Sequence, residues 1–133
     1  MPAIGILFDI DELDSGLYGH AAYKIFFAAI DTRLLAGCVL SDGDTNATLM
    51  GRANQYCIAV NAPDHAAISA VKDALSKSTE KGLLPVSSRF MDDALVMHEP
   101  LVQATFIGSH GELVNCTTSW VMAAWKTTQE QRA

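Results

Sequence analysis

The stretch Asp14-Ser15-Gly16-Leu17-Tyr18-Gly19-His20-Ala21-Ala22-Tyr23-Lys24-Ile25-Phe26-Phe27-Ala28-Ala29-Ile30 decides how this chain is read. From Ala21 to Ile30 it carries one charged residue, Lys24, and so lacks the polar stripe of a helix resting on a surface. A helix that is apolar nearly all round belongs inside, covered by other elements. The expected helix runs from about Leu17 to Leu35. Asp14 or Ser15 can offer an oxygen to its first free N–H groups, and Gly37 is a natural stop. A chain of 133 residues has room for one core. Such a helix must then be enclosed by a curled sheet or by a second subunit.

The flanking sequence supplies the sheet. Residues 3–9, 38–40 and 55–60 read as strands. Pro63-Asp64 opens a second helix to about Lys81, ended by Gly82. Its Ile68, Val71 and Leu75 form one apolar stripe, while Lys72, Asp73, Lys77 and Glu80 face water. Further strands are expected at Leu84–Phe90 and Ala94–Met97. Leu101–Ile107 and Glu112–Ala124 read as a hairpin joined by Gly108-Ser109-His110-Gly111. In its last arm Val114, Cys116, Trp120, Met122 and Ala124 share one parity, opposite Asn115, Thr117 and Ser119, as in a half-buried strand. The expected organisation is one domain over residues 1–125 with a frayed polar tail over 126–133. The expected fold class is α+β: a hotdog arrangement, an antiparallel sheet wrapped round a long apolar central helix, with an extra amphipathic helix. A ferredoxin-like βαββαβ order reads similarly through residue 97 and leaves the terminal hairpin over.

Composition narrows the function classes. Half of the side chains are apolar and 18% are charged, which excludes a disordered chain. No run of about 18 apolar residues offers a membrane span, and the N-terminal residues do not read as a secretory signal. Nine basic residues against fifteen acidic give a net charge of -6, which argues against duplex nucleic acid as a partner. Cys38, Cys57 and Cys116 are odd in number and form no CxxC. They read as reduced thiols of a cytoplasmic protein. His20, His65, His98 and His110 do not stand at zinc-ligand spacing, so neither metal nor cofactor is expected.

The spacing of Gly16, His20, Tyr23 and Phe26-Phe27 after Asp14 resembles the entry to the central helix in the 4-hydroxybenzoyl-CoA-thioesterase-like hotdog family. Gly111-Glu112-Leu113-Val114, followed by Thr117-Thr118-Ser119-Trp120-Val121, looks like that family's last hairpin. Together the two matches cover about a third of the chain. The chain has one residue fewer between Asp14 and Gly16 than the family pattern. It places the helix 64–81 where the family runs strand to strand, and it lacks the C-terminal Arg-Pro of some members.

The resemblance implies hydrolysis of an acyl thioester, with acyl-CoA as the substrate. Asp14 would attack the carbonyl or deprotonate a water, and the His20 side chain would polarise the carbonyl or orient that water. The N–H groups of Gly19 and His20 at the helix start would face the developing oxyanion. Tyr18 and Tyr23 would line the acyl pocket. The resemblance also implies a homodimer or homotetramer with the site at a subunit junction. Lys24, Arg33, Arg52, Lys81 and Arg89 are the cations available for CoA phosphates.

Plainer roles stand beside these. Asp14 can serve as a helix cap, His20 as a buried hydrogen-bonded histidine, and Tyr23, Phe26 and Phe27 as core. Two other functions fit the sequence. Met1-Pro2 before a strand resembles the tautomerase family, in which an N-terminal proline amine acts as base. Alternatively, a non-catalytic α+β barrel would bind a small ligand or a protein.

Overall fold

The computed structural model describes residues 2–14, 17–44, 55–92, 102–107 and 111–132. In chain order its elements are β1 (Ala3–Asp9), α1 (Tyr18–Ala29), β2 (Val39–Asp44), β3 (Gln55–Asn61), α2 (His65–Glu80), β4 (Arg89–Asp92), β5 (Val102–Ile107), β6 (Glu112–Val114) and α3 (Ser119–Arg132). Short 3-10 turns occupy Ile10–Glu12 and Thr32–Leu35.

The six strands form one sheet in the order β4-β1-β3-β2-β5-β6, with every neighbouring pair antiparallel. Strands β1 to β4, with α1 after β1 and α2 after β3, have the order of a ferredoxin-like split βαβ unit. The terminal strands β5 and β6 extend that sheet beyond β2. The central strands read Ile-Gly-Ile-Leu-Phe and Tyr-Cys-Ile-Ala-Val, near-continuous apolar runs suited to burial on both faces. The register Ile4↔Val60, Ile6↔Ile58 and Phe8↔Tyr56 turns one set of side chains toward the helices. There they meet Ala22, Tyr23, Phe26 and Phe27 of α1 and Val71 and Leu75 of α2 in one core.

Helix α2 agrees with its sequence pattern. The Asp64 side chain caps it by accepting from Ala67 N at 2.8 Å. Gly82, at φ +73°, follows its last turn and takes a backbone conformation open mainly to glycine.

Helix α1 is shorter than the expected 17–35. Its twelve residues end at Ala29, and Ile30 is extended. The cause is local. The Asp31 side chain accepts from Arg33 N at 3.0 Å and pairs with the Arg33 guanidinium, giving the backbone an alternative to another helical turn. The extra amphipathic helix of the expectation is α2; a third helix, α3, was not expected, and α1 lies against both the sheet and α3.

The segment read as one strand over Glu112–Ala124 is a strand only to Val114. Asn115 then takes φ 54°, and residues 119–132 are helical. The buried positions are Val121, Ala124 and Thr128, spaced by three and four as on a helix face. Over Trp120–Ala124 this spacing coexists with an apparent alternation, so a short window satisfies both periods. Beyond it Lys, Gln, Glu and Arg favour the helix. The supposed frayed tail from Lys126 is its second half, and the boundary drawn at residue 125 falls inside an element.

Strand β4 is confined to Arg89–Asp92, at the end of the expected 84–90 strand. Strand β2 continues through Asp42-Gly43-Asp44, a polar stretch beyond the expected 38–40. The expected strand at 94–97 and the hairpin loop at 108–110 lie outside the described residues. Among the described residues no helix is long and apolar enough to cross a membrane.

Candidate functional site

The start of α1 was the expected site. Asp14 lies in the bend before it with an exposed side chain, and its backbone carbonyl accepts from Leu17 N at 2.9 Å. Leu17 holds the N-cap position without a side-chain cap bond, so Asp14 does not cap the helix. Ser15 and Gly16 lie outside the described residues.

Tyr18, Gly19 and His20 form the first turn, and His20 is half-buried. The i to i−4 ladder begins with Ala21 N donating to Leu17 O at 2.8 Å, which leaves the N–H groups of this turn outside it. The space beside Gly19 is taken. A Cβ there would stand 2.9 to 3.2 Å from the Trp120 ring, so the indole covers that side of the turn.

Tyr18 and Tyr23, the two residues expected to line a pocket, pack among other aromatic rings of the core. Tyr18 meets the Tyr56 ring edge-on, with centroids 5.4 Å apart at 74°. Tyr23 is fully buried, 5.5 Å from the Trp120 ring and 5.7 Å from Phe27. On β2, Asp42 pairs with Ile58, which puts its carboxylate on the helix-covered face with Leu40. It is fully buried. Burial raises the Tyr23 phenol well above its ordinary value, and the facing Asp42 carboxylate raises it further. The Tyr23 hydroxyl acts on Asp42 without reaching standard hydrogen-bond geometry. The Tyr56 hydroxyl, equally buried, has no hydrogen-bond partner among the described residues.

Two thiols border this region. Half-buried Cys116 directs its Sγ to Thr118 O at 3.2 Å and acts weakly on Tyr23. Cys57 lies on the other face of the sheet, and burial, then Asp42, push it up to about 12. Cys38 is pushed up to about 11, by burial first and then by Asp64.

A carboxylate and two phenols inside an apolar core are costly unless they interact with something. Buried titratable groups held next to one another mark a functional site more often than chance would. The arrangement supplies a carboxylate, a hydroxyl facing it, a second hydroxyl, and the aromatic walls Tyr18, Trp120 and Phe27.

The other sequence candidates are dispersed. Pro2 lies at the far end of β1 from the Asp14 bend, and its carbonyl accepts from Ala62 N at 2.9 Å. Arg33 is bound to Asp31 at 2.6 Å, and Arg89 donates to Gln55 at 3.2 Å. Lys24 lies on α1, Lys81 follows α2, and Arg52 is outside the described residues. Among the described residues no three of His, Cys, Asp and Glu are grouped as metal ligands.

Asp42, Tyr56 and Trp120 were missed in the sequence. Asp42 sits in Ser41-Asp42-Gly43-Asp44, a polar stretch in the sequence, and Trp120 falls in the expected strand over 112–124. The parity of Leu40 and Asp42 is the signal that would have placed the carboxylate on the core side. No protein-family model, curated protein or solved structure matches this chain.

Proposed function

We propose that this protein binds a small ligand in the cluster formed by α1, strands β2 and β3, and α3. Asp42, Tyr23 and Tyr56 are its polar anchors, and Tyr18 and Trp120 its walls. The observation that carries this reading is the Tyr56 hydroxyl, buried without a hydrogen-bond partner among the described residues, with its ring against Tyr18 and in the same core as Tyr23. An unmade buried hydrogen bond costs about 1–3 kcal/mol, which a purely structural core would avoid by using phenylalanine.

Tyr56→Phe in the ligand-free protein is therefore expected to raise stability in urea unfolding, by about 1 kcal/mol. A loss of that size would show that the hydroxyl serves the fold, and the reading would be abandoned. Fragments found by thermal shift against the wild type should bind about tenfold more weakly to Tyr56→Phe, since a hydrogen bond contributes about 1.4 kcal/mol.

A second reading, acyl-thioester hydrolysis, rests on the family resemblance and on the exposed Asp14 carboxylate one short bend before the half-buried His20. Asp14→Ala should then abolish hydrolysis across a panel of acyl-CoA thioesters. Stability should stay within about 0.5 kcal/mol of wild type, because Asp14 is exposed and caps nothing. No hydrolysis by the wild type, or equal hydrolysis by the variant, removes this reading. It also carries the hotdog fold and a site shared between subunits, and a monomer in solution counts against it.

A further inference from the structure

A groove apart from the buried cluster lies on the outer side of α1. It is shallow, open to solvent, and of about 340 Å³ between α1, the C-terminal half of α3 and the residue Leu83 that follows α2. Small-ligand sites begin at about 300 Å³. Its walls are aliphatic: Ala21, Ile25 and Ala28 from α1, and Leu83, which is 49% exposed despite its size. Thr128 also borders it, but its hydroxyl already donates to the Ala124 carbonyl at 3.0 Å.

One cation lines this groove. Lys24 is exposed and has no acidic partner among the described residues. Lys72, Lys77 and Arg33 are paired, to Asp92 at 2.9 Å, Asp73 at 3.0 Å and Asp31 at 2.6 Å, and Lys81 and Lys126, which like Lys24 have no ion pair among the described residues, do not line the groove. In a chain of net charge -6, a lysine left unmatched beside an aliphatic groove selects for a negative head on an apolar tail. A lysine is a compact point charge with no demand for two-pronged geometry. A single lysine suits a monoanion, and the amide of Gln131 at the groove edge adds a donor.

We propose that this groove binds a medium-chain carboxylate, with Lys24 taking the carboxylate and Ile25 and Leu83 flanking the chain. The groove does not depend on the Asp42 cluster, so the two sites can be tested separately.

The experiment titrates the full chain with octanoate, octylamine and octanol, following calorimetric heat or backbone amide shifts. Octanoate is expected to saturate, octanol to bind more weakly and octylamine not to bind. Lys24→Gln should weaken octanoate about fivefold, the upper range for an exposed charge pair. Leu83→Asp, another exposed position, should weaken it further, while Tyr56→Phe leaves it unchanged. Octylamine binding as tightly as octanoate, unaltered affinity in Lys24→Gln, or no saturation by octanoate would each overturn the proposal.

Discussion

At the scale of single residues, Gly19 shows how one side chain's absence positions another. The Trp120 ring occupies the volume where a Cβ would stand. Gly19→Ala gains helix propensity of about 1 kcal/mol but must displace an indole wedged against Tyr23. A net loss of about 1–2 kcal/mol in urea unfolding is expected, because overpacking of this kind costs about 1–3 kcal/mol. Trp120→Leu should relieve much of it in the double variant. Cys57 makes a second prediction at this scale. The fold holds its thiol protonated, raising it from 9.0 to about 12. Its contribution to stability is therefore complete below pH 9 and is lost as pH rises toward 12, at about 1.4 kcal/mol per pH unit. Tyr23, also raised, adds to the decline above pH 10. Unfolding free energies measured from pH 8 to 11 should fall less steeply in Cys57→Ala than in wild type.

At the scale of elements, α3 is where sequence periodicity misleads and packing decides. As a strand, residues 112–124 would bury Met122 and expose Val121. As a helix, Val121 and Ala124 are buried and Met122 is only half-buried. Val121→Ala should cost about 2 kcal/mol and Met122→Ala under about 1 kcal/mol. The reverse order in urea unfolding would restore the strand. Helix α2 needed no such arbitration. Its stripe, its Asp64 cap and its Gly82 stop agree with one another, and an element whose local signals agree can be read directly. Helix α1 was legible in its start and its burial but not in its end, because the Asp31–Arg33 interaction competes with helix propagation and leaves no trace in hydrophobic pattern.

At the scale of the whole molecule, one core runs through the central strands and all three helices described, from Ile4 through Phe27 and Val71 to Ala124. Unfolding should be a single cooperative transition. The chain offers a clean check, because both tryptophans, Trp120 and Trp125, lie in α3. Tryptophan fluorescence and far-UV circular dichroism should give one urea midpoint. An earlier fluorescence midpoint would mean that α3 leaves α1 before the sheet unfolds.

The sequence by itself determined that the chain is α+β, that β1, β3 and α2 lie where they do, and that α1 is buried. Each follows from local hydrophobic spacing and from a cap or stop residue close by. Tertiary structure alone decided the strand order, the helical state of residues 119–132 and the meeting of Asp42 with Tyr23. Those features depend on which distant segments are neighbours. A carboxylate at residue 42 reads as part of a polar stretch until the pairing of β2 with β3 turns it inward, because strand register, a long-range property, chooses the face on which each side chain is buried.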